Sequence, residues 1–311
     1  VDKVLVTGVD GTVGSNLALT LAEHCEVWGL YSKHPVSIEG CQTAGCRHHD
    51  DVELAGWIAS MRPQWVLHCG PWVGNSWDAS DCTFEPGQAG EQVRKMAAAA
   101  AGVGARFTCL STDAVFTGPR LFHEEKSFQA GAGSSAAAAR EAEKALMGTE
   151  ALVVRTHAYG WSPVSGAGDY AEQAWLALSE GRMCEADADR HATPILASDL
   201  AELLWAAYQK GLTGLYHMAG SERTSPFRFM AELAHACGYS GRHVQLGDLP
   251  AHAESRRYPR ETSLATKAAR DVLGQPMPML REGLLRFAAQ VESGMRERFG
   301  IAAGELVHEA A

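Results

Sequence analysis

Residues 4–14 read VLVTGVDGTVG: a β-branched strand runs into glycines at positions 8, 11 and 14, and a helix-forming segment, SNLALTLAEH, follows. Few folds use three glycines at that spacing between a strand and a helix. Gly8 permits a tight turn out of the strand, Gly11 lets backbone N–H groups approach a pyrophosphate, and Gly14 allows the helix to pack closely on the sheet. The helix N-terminus adds partial positive charge at the same point. The pattern predicts a dinucleotide seat at the start of an α/β unit.

Apolar strand-like runs recur at positions 4–7, 26–31, 65–69, 106–110 and 152–155, separated by helical stretches at 16–24, 52–61, 88–101 and 135–147. Such alternation predicts a Rossmann-type doubly wound parallel sheet. Beyond Arg155 the rhythm loosens into a Gly/Ser/Pro stretch at 160–168, a helix at 170–180 and the segment ATPILASDLAELLWAAYQ, where the chain leaves the sheet and returns. Positions 214–219 read as one more strand, and 226–237, 264–273 and 280–291 as later helices. The division expected is a dinucleotide-binding domain at 1–160, with returning segments at about 195–220. A smaller C-terminal substrate lobe takes 161–194 and 221–293, and a tail takes 294–311.

Composition narrows the partners. The formal charge is −10 and the 27 basic residues are scattered, which argues against a nucleic-acid backbone and for a small-molecule ligand. No apolar run approaches a membrane span and the N-terminus enters a strand without a signal-like segment, so a cytoplasmic protein with no membrane partner is expected. Eight dispersed cysteines without a C-x-x-C read as reduced and structural. His48, His49, Asp50 and Asp51 look superficially like metal ligands, but neighbours on a strand point to opposite faces, and no metal site is expected. The absence of a G-x-S-x-G elbow and of a Walker motif removes the usual hydrolase and ATPase readings.

Five blocks then converge: TGVDGTVG, LSTDAVFTG at 110–118, RHATPILASDLAELL at 190–204, GLYHMAG at 214–220 and PRETSLATKAARDVLG at 259–274. In that order they resemble the dTDP-4-dehydrorhamnose reductase group of the extended short-chain dehydrogenase/reductase superfamily, from about residue 3 to residue 290. The resemblance implies an oxidoreductase that binds NAD(P) and a nucleotide-linked sugar. It places the cofactor against Gly8, Asp10, Gly11, Thr12, Val13, Gly14, Ser32, Lys33, Asp50, Cys69, Gly70, Pro71 and Ser111. Asp50 or Asp51 falls where family members reach the adenine, although two adjacent acids also suit a solvated helix start. At the end of the second strand, where NAD enzymes place a carboxylate on the ribose, this chain has Leu30, Tyr31, Ser32, Lys33 and His34. With no acid there, and with Lys33 either facing a 2′-phosphate or simply solvated, NADP is expected in preference to NAD.

The family's reductases protonate the developing alkoxide with a tyrosine, helped by a lysine four residues on. Aligning AREAEKAL with the family's helix puts Ser135 and Ala139 at those two positions, and no tyrosine in the chain has a lysine four residues later. Thr112, which in the family hydrogen-bonds the substrate carbonyl, is retained. The catalytic candidates are therefore Thr112, Ser135 and His157, the last at a strand end where such sheets place their ligands, with Tyr159 a weaker substitute. Trp72 and Trp77 either narrow the cleft or simply pack. Two functions stay open. One is an NADP-dependent enzyme with altered acid chemistry. The other is a non-catalytic NADP-binding subunit serving a regulatory partner, as the regulatory subunit of methionine adenosyltransferase does on this fold. A homodimer through the nucleotide domain is a further expectation.

Overall fold

A computed structural model describes residues 1–47, 51–78, 85, 87–248 and 260–301. Its centre is a sheet of strands β1 (Lys3–Thr7), β2 (Glu26–Tyr31), β3 (Cys41–Gly45), β4 (Trp65–His68), β5 (Arg106–Thr112), β6 (Leu152–Thr156) and β7 (Gly214–His217). They run parallel in the order β7-β6-β5-β4-β1-β2-β3, so the chain winds outward from β1 in both directions. Continuous apolar runs such as Val4, Leu5 and Val6, all fully buried, suit strands covered on both faces. The edge strand β3, CQTAG, has little strand character of its own; its conformation comes from pairing with β2, from Val27 opposite Cys41 to Tyr31 opposite Gly45.

The helices are α1 (Thr12–Leu21), α2 (Asp51–Met61), α3 (Gln88–Gly102), α4 (Ser134–Leu146), α5 (Tyr170–Ser179), α6 (Ala197–Gln209), α7 (Pro226–Ala236), α8 (Lys267–Leu273) and α9 (Leu280–Glu292). α1 packs on α6, while α2, α3 and α4 pack in succession as the other layer. The indole of Trp65 anchors the sheet: its Nε1 donates to Thr108 Oγ1 at 2.9 Å and its ring stacks on Tyr208 of α6 at 4.7 Å. No helix among the described residues is long and apolar enough to cross a membrane.

After β6 the chain builds a lobe before returning through α6 to β7. Two short parallel pairings shape it, Ala158–Tyr159 with Ile195–Leu196 and Cys184–Ala186 with Val244–Leu246. α5 and α7 close a small apolar cluster of Ala177, Leu178, Cys184, Ala234 and Val244. Because the strands of the sheet are parallel, their C-terminal ends open on one side, and the lobe stands over that side.

Under α4 lies a buried ion pair. Arg155 donates from Nε to Glu143 Oε1 at 2.8 Å and from Nη2 to Oε2 at 2.6 Å, and its Nη1 stands 3.1 Å from His217 Nε2. Burial, and then the Arg155 charge, push the His217 imidazole down to about 3. An unfolded chain protonates this histidine near 6.5, so between pH 6.5 and about 3 only the unfolded state takes up the proton. Stability is thus expected to fall as the pH drops through that window, by about 1.4 kcal/mol per unit from this residue. Urea unfolding at pH 7, 6 and 5 should show a slope that His217→Gln flattens; an unchanged slope refutes the assignment.

Candidate functional site

The glycine turn is sterically obligatory. Gly8 has φ +71°, and a Cβ there would lie 2.2 Å from Cys69 O; a Cβ on Gly14 would lie 2.2 Å from Gly8 O. Gly11 is the N-cap of α1 and offers no side-chain cap, so the first N–H groups of the helix are left for an external acceptor. The turn opens into a cleft of about 820 Å³, within the range of cofactor and ligand sites. Gly8, Gly11, Thr12, Val13 and Gly14 line it from the glycine turn and the start of α1, and Cys69, Gly70 and Pro71 from the segment after β4. Burial pushes the Cys69 thiol up to about 12, so it stays protonated and unreactive at neutral pH.

At one end of the cleft stands the loop after β2. Asp10 builds it: its Oδ2 accepts from the N–H groups of Ser32, Lys33 and His34 at 3.1, 2.8 and 3.3 Å. The carboxylate thereby holds the loop, and the exposed Lys33 lines the cleft with no ion-pair partner among the described residues. Asp50 lies outside the described residues, as does the side chain of Asp51.

The remaining sequence candidates stand behind the cleft wall. Ser111 donates its hydroxyl to Glu143 Oε1 at 2.6 Å. Thr112 is fully buried, donates to Gly74 O at 2.6 Å and accepts from Ala114 N. Ser135 and Ala139 are buried in α4. Trp72 lies beneath Gly70 with its Nε1 donating to Leu110 O, so it fills the floor rather than the wall, whereas Trp77 does line the cleft.

His157 is fully buried, its Nδ1 2.7 Å from Asp113 Oδ2. Asp113 also accepts from Ser76 Oγ at 2.6 Å and Thr262 Oγ1 at 2.5 Å, tying β4, β5, β6 and the lobe together. Burial alone would raise its carboxyl, but the His157 charge and these hydrogen bonds outweigh burial and hold it below the usual carboxylate range.

At the lobe end the cleft is walled by Trp77, which the sequence reading offered as narrowing it, and by Asp78, Asp169, Tyr170, Met183 and Met230, which it did not name. Burial raises both carboxyls, and the Asp78 charge raises Asp169 further. Both hold the start of α5: Asp169 accepts from the N–H groups of Ala171 and Glu172, and Asp78 accepts from that of Tyr170. An Asp immediately before an apolar helical run was the one local signal available. Among the described residues no group of three or more metal-binding side chains comes together.

A sequence profile of the RmlD substrate binding domain matches residues 2–293. The chain belongs to this family. A dTDP-4-dehydrorhamnose reductase of Mycobacterium tuberculosis is 28% identical over 258 residues, 78% of each chain. Among solved structures, this RmlD-family chain is similar to the Bacillus anthracis dTDP-4-dehydrorhamnose reductase in complex with NADP. There the TM-score is 0.73 at 21% identity, covering 93% of this chain and 98% of that one. It is also similar to the Thermotoga maritima UDP-glucose 4-epimerase with UDP-glucose, with a TM-score of 0.74 at 15% identity, covering 94% and 99%. These likenesses agree with the doubly wound sheet and lobe described above.

Proposed function

We propose that this chain binds NADP(H) and reduces a carbonyl on a nucleotide-linked sugar, through acid chemistry that differs from its family's. The observation that carries the reading is one continuous cleft, running from the uncapped start of α1 and Lys33, which has no ion-pair partner among the described residues, to the aromatic and acidic wall of the lobe. The pyrophosphate would meet the N–H groups of Thr12, Val13 and Gly14, and a 2′-phosphate would meet Lys33. Bound and reduced, the nicotinamide supplies hydride. The dTDP-4-dehydrorhamnose reductases among the relatives support the sugar-nucleotide class of substrate.

A second reading, a non-catalytic NADP-binding subunit, is favoured by Ser135 and Ala139 and by the burial of Thr112 and His157 behind the wall. The two readings part in one experiment, incubation with NADPH and a panel of dTDP-linked 4-keto sugars while the absorbance of reduced nicotinamide is followed. Oxidation of NADPH supports the enzyme. Binding without oxidation, together with activity created by Ser135→Tyr plus Ala139→Lys, supports the subunit. In fluorescence titrations Lys33→Ala is expected to weaken NADPH about fivefold, the upper end for the loss of one exposed charge pair, and to leave NADH unchanged. Equal weakening of both would remove Lys33 from the phosphate.

A further inference from the structure

The absence of the usual phenol from α4 leaves open which group delivers a proton into the cleft. Among the described residues, two buried atoms in adjacent rings have no hydrogen-bond partner: the Tyr170 hydroxyl and His157 Nε2. The rings are 5.7 Å apart between centroids, and the edge of Trp77, whose Nε1 is also without a partner, packs against both at 4.7 and 4.9 Å. Unpaired polar atoms this deep are costly in a native protein and mark places where a ligand or water completes the set. Tyr170 lines the cleft; Tyr159, packed against Phe229 and Phe287, does not.

We propose that Tyr170 is the proton donor of this cleft, standing in for the phenol that α4 lacks. This rests on the reductase reading above. Tyr170 is fixed at the first turn of α5 by Asp78 and Asp169, so its ring is aimed by backbone bonds rather than by a flexible loop. Burial, then the Asp169 charge, raise the phenol well above the usual tyrosine range, so it keeps its proton until a stronger base forms beside it. An alkoxide developing on the substrate is such a base.

As reduced nicotinamide gives hydride to the carbonyl carbon, the Tyr170 O–H bond breaks and its proton passes to the carbonyl oxygen. The phenolate then recovers a proton from water that enters the cleft as the product leaves. One hydride and one proton are consumed per carbonyl. Tyr170 is the group that meets the substrate; His157 and Asp113 are positioning residues. His157 faces Asp113 from the turn after β5, Ser76, Trp77 and Asp78 from the segment after β4, and Tyr170 from α5.

The test uses the full chain with Tyr170→Phe, Tyr159→Phe, His157→Gln and 3-fluorotyrosine at position 170. Tyr170→Phe should keep NADPH affinity within twofold, lower kcat by about 10²- to 10⁴-fold and weaken calorimetric binding of a dTDP-linked sugar about tenfold. His157→Gln, which removes a ring packed against Tyr170, should lower kcat with little change in KM. Fluorotyrosine, which folds as tyrosine does, should move the alkaline limb of the pH profile of kcat to lower pH. A Tyr170→Phe rate within threefold of wild type, or an unmoved limb, overturns the assignment and leaves the reductase reading standing. A wild-type protein that neither binds nor reduces any sugar of the panel overturns both.

Discussion

Glu143→Ala is expected to lower the free energy of unfolding by about 3–5 kcal/mol, the cost of stranding one partner of a buried ion pair. Glu143 and Arg155 are 7% and 1% exposed, and the carboxylate is the acceptor for Arg155 Nε and Nη2, for the Ser111 hydroxyl and for Gln129 Nε2. Removing it leaves a guanidinium in the protein interior over the Phe116 ring, its remaining polar neighbours among the described residues being Glu125 O and His217, and burial together with that same charge already holds the His217 imidazole low. Glu143→Gln keeps much of the shape and one acceptor oxygen, so its loss should be visibly smaller. Urea unfolding followed by tryptophan fluorescence measures both. A Glu143→Ala loss under 1 kcal/mol would mean that Arg155 finds water on relaxation and that the pair does not hold α4 to β6.

The second large effect is at Gly14. An alanine there would put Cβ 2.2 Å from Gly8 O and 3.2 Å from Val9 Cα, backbone atoms that no rotamer change can clear. α1 must move away from the end of β1, and overpacking of that kind costs about 1–3 kcal/mol of stability. Its consequence for binding is larger in kind, because the same displacement moves the uncapped N–H groups that point into the cleft. Gly14→Ala should weaken NADPH by on the order of 100-fold, equivalent to about 2.7 kcal/mol, while the sheet stays folded by circular dichroism. Gly11 is a useful contrast. Its added Cβ meets nothing closer than Gly8 O at 3.4 Å, so Gly11→Ala tests close approach of a ligand without a clash inside the protein. If Gly14→Ala bound NADPH like wild type, the start of α1 would not be the phosphate seat.

Much of this architecture is written locally. The five apolar runs became β1, β2, β4, β5 and β6 with ends shifted by no more than two residues, because buried parallel strands need nothing beyond a short apolar stretch. The glycine turn was equally legible, since Gly8 and Gly14 answer to contacts within the turn and at the neighbouring strand end. β3 was not legible: CQTAG is a strand only because β2 offers an unpaired edge. Asp10 was read as part of the cofactor site from its place in the turn, and folding spends its carboxylate on the loop that carries Lys33.

Sequence alone determined the doubly wound sheet, the dinucleotide turn, the family and the absence of a Tyr-x-x-x-Lys pair, all of which depend on residues a few positions apart. Tertiary structure decided what stands at the lobe end of the cleft. Asp113 meets Thr262 across 149 residues, and Tyr170 meets Asp78 across 92. No periodicity encodes such meetings. The hydrophobic collapse that brings the lobe over the ends of the strands creates them, and burial there, by raising or lowering each ionisable group, sets which of them keeps a proton to give.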